Sequence, residues 1–495
     1  MKQKPNLKQC LRRAFLALAI ASSLLDLPSA EAATITVINA NDSGAGSLRQ
    51  ALADANDGDT INFDPSLHYI TLVSGELVVD KSVTISGPGS DNLTIDANYS
   101  SRVFHVSGGV GATIAGLTIT NGDGEFDFLH GGGGGIYNDH ATLVIDRCTV
   151  SGNYDPYVGG AVYNDGFNGS ATLTVTNSTF SNNHAAAPYG AGNAGGIYND
   201  GSYGSATLTV TNSTFSGNFA NLAGPSGGGA IYNNGYSGNA TLIVNNSTFS
   251  GNSALYGGAI YNGSATVAIR DTILNGGALG ENLYNSSGSV SSLGYNLSSD
   301  NGGGFLTATG DQINSDPLLG PLQDNGGSTF THELLSGSPA IDAGDPNFTR
   351  PPDYDQRGSA YSRIANGRID IGAFEVQAAP SRYVGQVQQP INADGSSVFS
   401  VRRGVVPVKF TLTQGGVATC ALPPATIALT RTAEGTIGPI DESIYTGNAD
   451  TGSNFRIDSC QYAYNLNSRA LGVGTYRVDI LIDGQVAGSA IFALN

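Results

Sequence analysis

The sequence predicts an all-β chain: a parallel β-helix with a capping helix, followed by a small β-sandwich. Three observations predict it. First, one sentence recurs five times between Gly134 and Leu274: small residues, an aliphatic residue and Tyr-Asn, as in Ala161-Val162-Tyr163-Asn164. The tyrosines of the five copies, Tyr137, Tyr163, Tyr198, Tyr232 and Tyr261, lie 26, 35, 34 and 29 residues apart. A period near 30 that stretches and shrinks suits stacked coils with variable loops. Second, each copy continues with a period-2 segment such as Ala171 to Thr176, in which Leu173 and Val175 alternate with threonines. That alternation is a strand signal. Third, from residue 382 the Asn/Gly repeats give way to alternating strands with prolines.

Within a coil the parity slips. Phe180, Phe215 and Phe249 stand an odd offset beyond Val175, Val210 and Val244, so the chain must bend near Thr176-Asn177 before the next strand starts. Short strands joined by bends cannot bury both sides alone. Stacking them satisfies the backbone between coils and makes one continuous core. Right-handed winding follows from the usual hand of parallel crossovers. Two asparagine rows, Asn138/Asn164/Asn199/Asn233/Asn262 and Asn153/Asn183/Asn218/Asn252, should form amide ladders along the stack. The Gly-Gly-Ala-Ile/Val runs at Gly159, Gly228 and Gly257, with Phe-x-x-Asn at Phe180, Phe215 and Phe249, resemble the repeat of the polymorphic outer membrane proteins. That resemblance implies a secreted β-helix with an adhesive role. This chain shows no outer-membrane barrel of the kind that normally follows in that family.

Taken in order, residues 1–32 read as a secretory signal. Lys2, Lys4, Lys8, Arg12 and Arg13 precede the apolar run Ala14 to Leu25, and Ala30-Glu31-Ala32 suits cleavage. The run is too short to span a membrane. The segment carries five basic and two acidic residues, so its removal takes the formal charge from −18 to −21. Such a balance argues against nucleic acid and anionic membranes as partners. It does not choose a partner; the signal segment predicts a secreted, extracellular or cell-surface location, and the partner expected there is an extracellular glycan or a cell-surface protein. Ser47 to Asn56 forms the one clear helix, with Ser47 as N-cap and Leu48, Ala51, Leu52 and Ala55 on one face; it should cover the open first coil. Cys148, on an inward position, reads as a buried apolar residue.

Past Leu274 the repeat decays. Asp324-Asn325-Gly326-Gly327, Gly337 to Gly344, Asp355-Gln356-Arg357-Gly358 and Asp370 to Glu375 resemble the choice-of-anchor Q family of bacterial surface β-helix proteins. Gly310 to Phe374 is expected to cap the C-terminal end, which puts the β-helix at 33–375. After a linker at 376–381, residues 382–495 hold about seven strands, the size of an immunoglobulin-like sandwich. Gly474-Thr475-Tyr476 looks like a tyrosine corner. Val406-Pro407-Val408-Lys409-Phe410 resembles the PxKF domain of bacterial secreted proteins. Cys420 and Cys460, a pair in an exported domain, should form a disulfide.

Chemistry is harder to find. The Asn-Thr-Asp, Asp-Asp and Gly-His-Gly set of galacturonan hydrolases does not occur. A calcium-dependent lyase would use Asp139, Asp165 and Asp200 with Arg147 or Arg270 as base. The same position becomes Asn234 and Gly263 in later coils, as a turn position would. The chain is therefore expected to be structural or adhesive, with a lyase or hydrolase on acidic polysaccharide as the alternative. No cofactor is expected, apart from structural calcium on Asp345, Asp353 and Asp355, a set that also reads as polar turns. His130, His140 and His184 sit in loops without placed partners. The tyrosine row, Tyr137, Tyr163, Tyr198, Tyr232 and Tyr261, is expected to point outward as a strip for a glycan chain, or to stack on itself as a stiffening ladder.

Overall fold

The computed structural model describes residues 32–124, 132–186, 192–220, 226–377, 383–414, 417–420, 423–433, 438–440, 450, 454–482 and 485–495. The secretory signal apart from Ala32, His130 and the linker beyond Gln377 lie outside them. The chain divides into two compact units, Met1–Gln377 and Ala378–Asn495.

The first unit is a parallel β-helix. Each coil lays one strand on each of three faces. The Tyr-Asn face carries strands such as Ile197–Asp200, the Leu/Val face strands such as Ser205–Thr211, and the Phe face strands such as Thr214–Ser216. Like residues sit in register: Tyr163 pairs Tyr198, Leu173 pairs Leu208 and Phe180 pairs Phe215. The first two faces merge into one sixteen-stranded sheet where Ile260–Arg270 runs through both, and the Phe face is a nine-stranded sheet. Inside, Phe180, Phe215 and Phe249 stack at 4.8 Å between centroids. The bend between the Leu/Val and Phe faces falls at Asn177, Asn212 and Asn246, with φ of 50°, 53° and 46°. Arg147 and Asp271 take the same left-handed conformation in neighbouring coils. Asparagine tolerates it better than most residues, which explains the parity slip in the sequence.

The glycine runs have a similar cause. Gly159, Gly228 and Gly257 are left-handed, and a Cβ there would stand 2.3–2.4 Å from the carbonyl oxygen of Val162, Ile231 or Ile260. Both asparagine ladders form. Asn138 donates to Asn164 at 2.6 Å, and the chain of amides continues through Asn199, Asn233, Asn262 and Asn285. The second row links Asn153, Asn183, Asn218 and Asn252 at 2.8–3.0 Å. Serines make a third internal row, with the backbone N–H of Cys148, Ser178 and Ser213 bonded to Ser178, Ser213 and Ser247 hydroxyls. Cys148 is fully buried, and burial pushes its thiol up to about 12.

At the N-terminal end the helix Leu48–Asp54 starts at Ser47, whose side chain accepts from the Gln50 N–H. Leu48, Ala51, Leu52 and Ala55 are buried in the main core, as their spacing predicts. Strands Thr34–Val37 and Tyr69–Thr71 belong to the first coils, and strands Gly111–Ala115 and Thr118–Thr120 are separated by a bend at Gly116, φ 63°.

The C-terminal segment differs from expectation. Leu306 joins the main core with Phe305 packed against it, after the 3-10 turn Gly302–Gly304. Asp311 and Gln312 still close the last coil, bonding Asn296 and pairing with Leu297, whereas from Ser328 on the segment forms a strap along the outside of the Phe face. Thr179 donates to the Phe330 carbonyl, Thr214 to Gln356 at 2.6 Å, and Thr248 accepts from the Ala373 N–H. Ser90 also bonds the Ser328 carbonyl. Ile273 and Leu297 of the coils and Leu334, Ile371 and Phe374 of the strap together make a second apolar cluster. The reason is the outward threonine row of the Phe sheet, a line of hydroxyls that irregular chain can bond directly.

The second unit packs two five-stranded sheets, built around Val405–Gln414 and Gly474–Ile482, over a core with Phe410, Tyr462, Tyr476 and Phe492. Tyr383–Gln388, Val417–Thr419 and Gly438–Ile440 add to the strands expected. The Tyr476 hydroxyl donates to the Leu471 carbonyl at 2.5 Å, the bond a tyrosine corner requires. Cys420 and Cys460 form the disulfide.

Candidate functional site

The tyrosine row sits where the sequence places it, one ring per coil, because the alternation puts Ile136 and Asn138 inside and Tyr137 between them outside. It is not an open strip. Tyr137 and Tyr198 are buried and the other three are half-buried. The rings contact one another in turn at 5.6, 5.6, 5.1 and 4.3 Å between centroids, and on to Tyr284 at 5.2 Å; Tyr137–Tyr163 and Tyr232–Tyr261 are stacked and Tyr163–Tyr198 meets edge-on. The glycine runs lie against them: a side chain at Gly132 or Gly227 would strike the rings of Tyr163 and Tyr261. Parity sets the direction of a side chain but not what the preceding loop lays over it.

The aspartates after Tyr-Asn serve this ladder. Tyr137 donates to Asp165 at 2.7 Å and Tyr163 to Asp200 at 3.1 Å, each reaching the next coil. The other oxygens of Asp165 and Asp200 accept backbone N–H groups of Phe167 and Ser202. Burial, with the neighbouring carboxylates, raises the Tyr137, Tyr163 and Tyr198 hydroxyls well above the ordinary phenol value. Tyr137 and Tyr163 therefore stay protonated donors, whereas the Tyr198 hydroxyl accepts from the Asn234 amide at 2.9 Å. Arg147 and Arg270 pair with Asp146 at 3.0 Å and Asp345 at 3.9 Å, away from this row, so a base does not converge on the aspartates.

At its N-terminal end the row becomes ionic. His105 pairs in register with Tyr137, and their rings are 5.0 Å apart. Arg102, which lies over the Tyr137 ring, holds Glu76 at 2.8 Å, and His105 bonds the same carboxylate at 3.0 Å. Burial opposes the Glu76 charge, but the His105 hydrogen bond and the Arg102 charge prevail and hold it at about 2. The Glu76 bond in turn raises His105. The alternation in Phe104-His105-Val106 was the available signal for this histidine. Asp139, His140 and Asp165 bring ligand atoms within 4.8 Å of one another. Their groups are already engaged: His140 bridges Asp139 at 2.5 Å and the Phe167 carbonyl at 2.8 Å.

The metal set expected in the C-terminal segment does not assemble. Asp355 is buried and held by Arg357 at 2.6 Å, Asp353 is exposed opposite Arg350, and Asp345 accepts from the Asn347 N–H while facing Arg270. Asp355 and Arg357 organise the strap instead, because a buried carboxylate needs a cation and N–H donors around it. His184 is exposed and meets Phe219 edge-on.

The bend row forms a second candidate. Asn177, Asn212 and Asn246 floor a groove of about 470 Å³ whose far wall is the strap segment containing Phe348, Pro351 and Pro352.

Two stretches, residues 212–234 and 246–263, match the model of the Chlamydia polymorphic membrane protein (Chlamydia_PMP) repeat. No curated protein matches the chain. The matched stretches contain Phe215, Asn218, Asn233, Phe249, Asn252 and Asn262, all buried. The likeness therefore lies in the coil itself: stacked rings, linked amides and left-handed glycines.

Proposed function

We propose that this chain is a secreted or cell-surface β-helix protein with a structural and adhesive role, carrying extracellular glycan or another surface protein as partner. The observation that supports it most is the repeat match, which falls on coils of a β-helix whose coils are closed inside by amide ladders. Such a stack is a rigid presenting surface. The resemblances to choice-of-anchor Q and PxKF modules, and the secretory signal in residues 1–32, support the same location. Among the described residues no helix is long and apolar enough to cross a membrane. The lyase alternative finds little support, since Asp165 and Asp200 are spent on tyrosine hydroxyls and turn backbone and Asp139 on His140 and His105.

Antibody labelling of intact producing cells, with fractionation of the medium, tests location. The protein should be found outside the cytoplasm; a purely cytoplasmic pool contradicts the reading. Beads coated with the full chain should be retained on cultured cells more than albumin-coated beads, and equal retention contradicts the adhesive role.

A further inference from the structure

The bend row differs from the two internal ladders in one respect. Asn177 donates to Asp146 at 3.0 Å, and Asn212 donates to Asn177 at 3.2 Å and to the Tyr354 carbonyl at 2.7 Å. The next link would run from Asn246 Nδ2 to Asn212 Oδ1, and it is not made. Both atoms are buried without a partner, on residues that are 3% and 1% exposed. Arg270 Nε, one coil further, is also buried and unpartnered. All three residues line the groove. A buried polar atom without a partner costs free energy, so three along one groove point to a ligand that bonds them.

The chemistry of that ligand follows from the atoms. The unpartnered pair is one acceptor, Asn212 Oδ1, and one donor, Asn246 Nδ2. A hydroxyl is both at once, donating to the first and accepting from the second. Thr176, Thr211 and Asn245 add polar side chains along the same wall, one per coil and roughly 4.8 Å apart. Phe348, Pro351 and Pro352 oppose them with an apolar wall suited to the C–H face of a sugar ring. The only cation among the lining residues is Arg270, and Asp345 lies 3.9 Å from it. The whole chain carries a formal charge of −18. Neither the groove nor the protein therefore favours an anionic polymer.

We infer that this groove binds a neutral, linear, hydroxyl-rich oligosaccharide laid along the coils, with one ring seated against Phe348. The inference rests on the surface-adhesive reading above and gives that reading a site. The site is a different edge of the β-helix from the tyrosine row, whose rings are covered.

The test is an array of neutral hexose oligosaccharides and uronate oligosaccharides probed with the full chain and three variants. Phe348→Ala removes the ring contact and should weaken binding about tenfold. Asn246→Gly keeps the left-handed bend and removes the donor, and should weaken binding by a similar factor. Tyr232→Phe, on the other edge, should leave it unchanged. Melting curves confirm that each variant folds; Phe348 lies outside the core, so its result stands even if Asn246→Gly unfolds. Neutral oligosaccharides bound by the parent and lost in the groove variants support the inference. Binding unaffected by both groove variants overturns the site, and binding of uronates alone overturns the ligand class. If no neutral oligosaccharide binds while coated beads still adhere to cells, the inference falls and the adhesive reading stands. If the beads fail as well, both fall.

Discussion

Two kinds of asparagine row run along this β-helix, built from the same residue at the same coil spacing. In the internal rows every amide from Asn138 to Asn262, and from Asn153 to Asn218, donates to the amide of the next coil, the rows ending on Asn285 and Asn252. In the bend row the chain of amides stops between Asn212 and Asn246. The difference is one of backbone. The internal asparagines sit on or beside strands whose register fixes the amide distance. The bend asparagines sit at left-handed corners, and Asn212 divides its amide between its neighbour Asn177 and the Tyr354 carbonyl of the strap. The same residue thus does structural work at one position and leaves bonding capacity open at another.

The largest expected effect sharpens the inside of that comparison. Phe215→Ala should lose about 3–5 kcal/mol, part of it from the cavity left in the ring stack. Thr214→Ala should lose about 1 kcal/mol, the net value of a hydrogen bond. Thr214 points outward, as its parity predicts, but lies buried under the strap and bonded to Gln356. Urea denaturation reads both, and equal losses contradict the assignment of faces.

Next comes a ladder amide. Asn199→Ala should cost about 1–3 kcal/mol, because it strands the amides of Asn164 and Asn233 inside the core. A shift within error in the same denaturation experiment contradicts a structural role for the ladder.

The strap, which supplies the far wall of the groove, should respond to pH. Burial raises Glu375 to about 8, and Asp370 and Asp271 to about 6, in each case against the nearby Arg363 charge. With pKa values raised on folding, the folded state keeps protons that the unfolded chain has released. This contribution is complete below the ordinary carboxyl range and is lost as pH rises through about 6 to 8. Hydrogen exchange in residues 355–375, corrected for intrinsic rate, should show protection falling over that range. Constant protection contradicts it.

Much of this was legible in the sequence. The strand alternation, the parity slip at Asn177, the two amide rows, the helix starting at Ser47 and the Cys420–Cys460 bond follow from local pattern, and repetition multiplies that pattern five times. The strap was not legible, because Gly310 to Phe374 has no period and its place depends on a threonine row presented by other coils. The covering of the tyrosines was missed for a related reason: it needs the path of the glycine runs, which strand parity does not carry. The groove was hidden twice over. Its asparagines look like turn residues, which they are, and Phe348 approaches them from more than a hundred residues further along the chain.

The smallest expected effect tests the central contrast most directly. Asn246→Gly keeps a backbone that glycine adopts freely and removes an amide whose donor has no partner. Measured beside Asn199→Ala in urea, it should change stability by no more than about 0.5 kcal/mol, against about 1–3 kcal/mol for the ladder residue. Equal losses for the two would mean that the bend row is bonded as tightly as the ladders, and that the difference between them is not real.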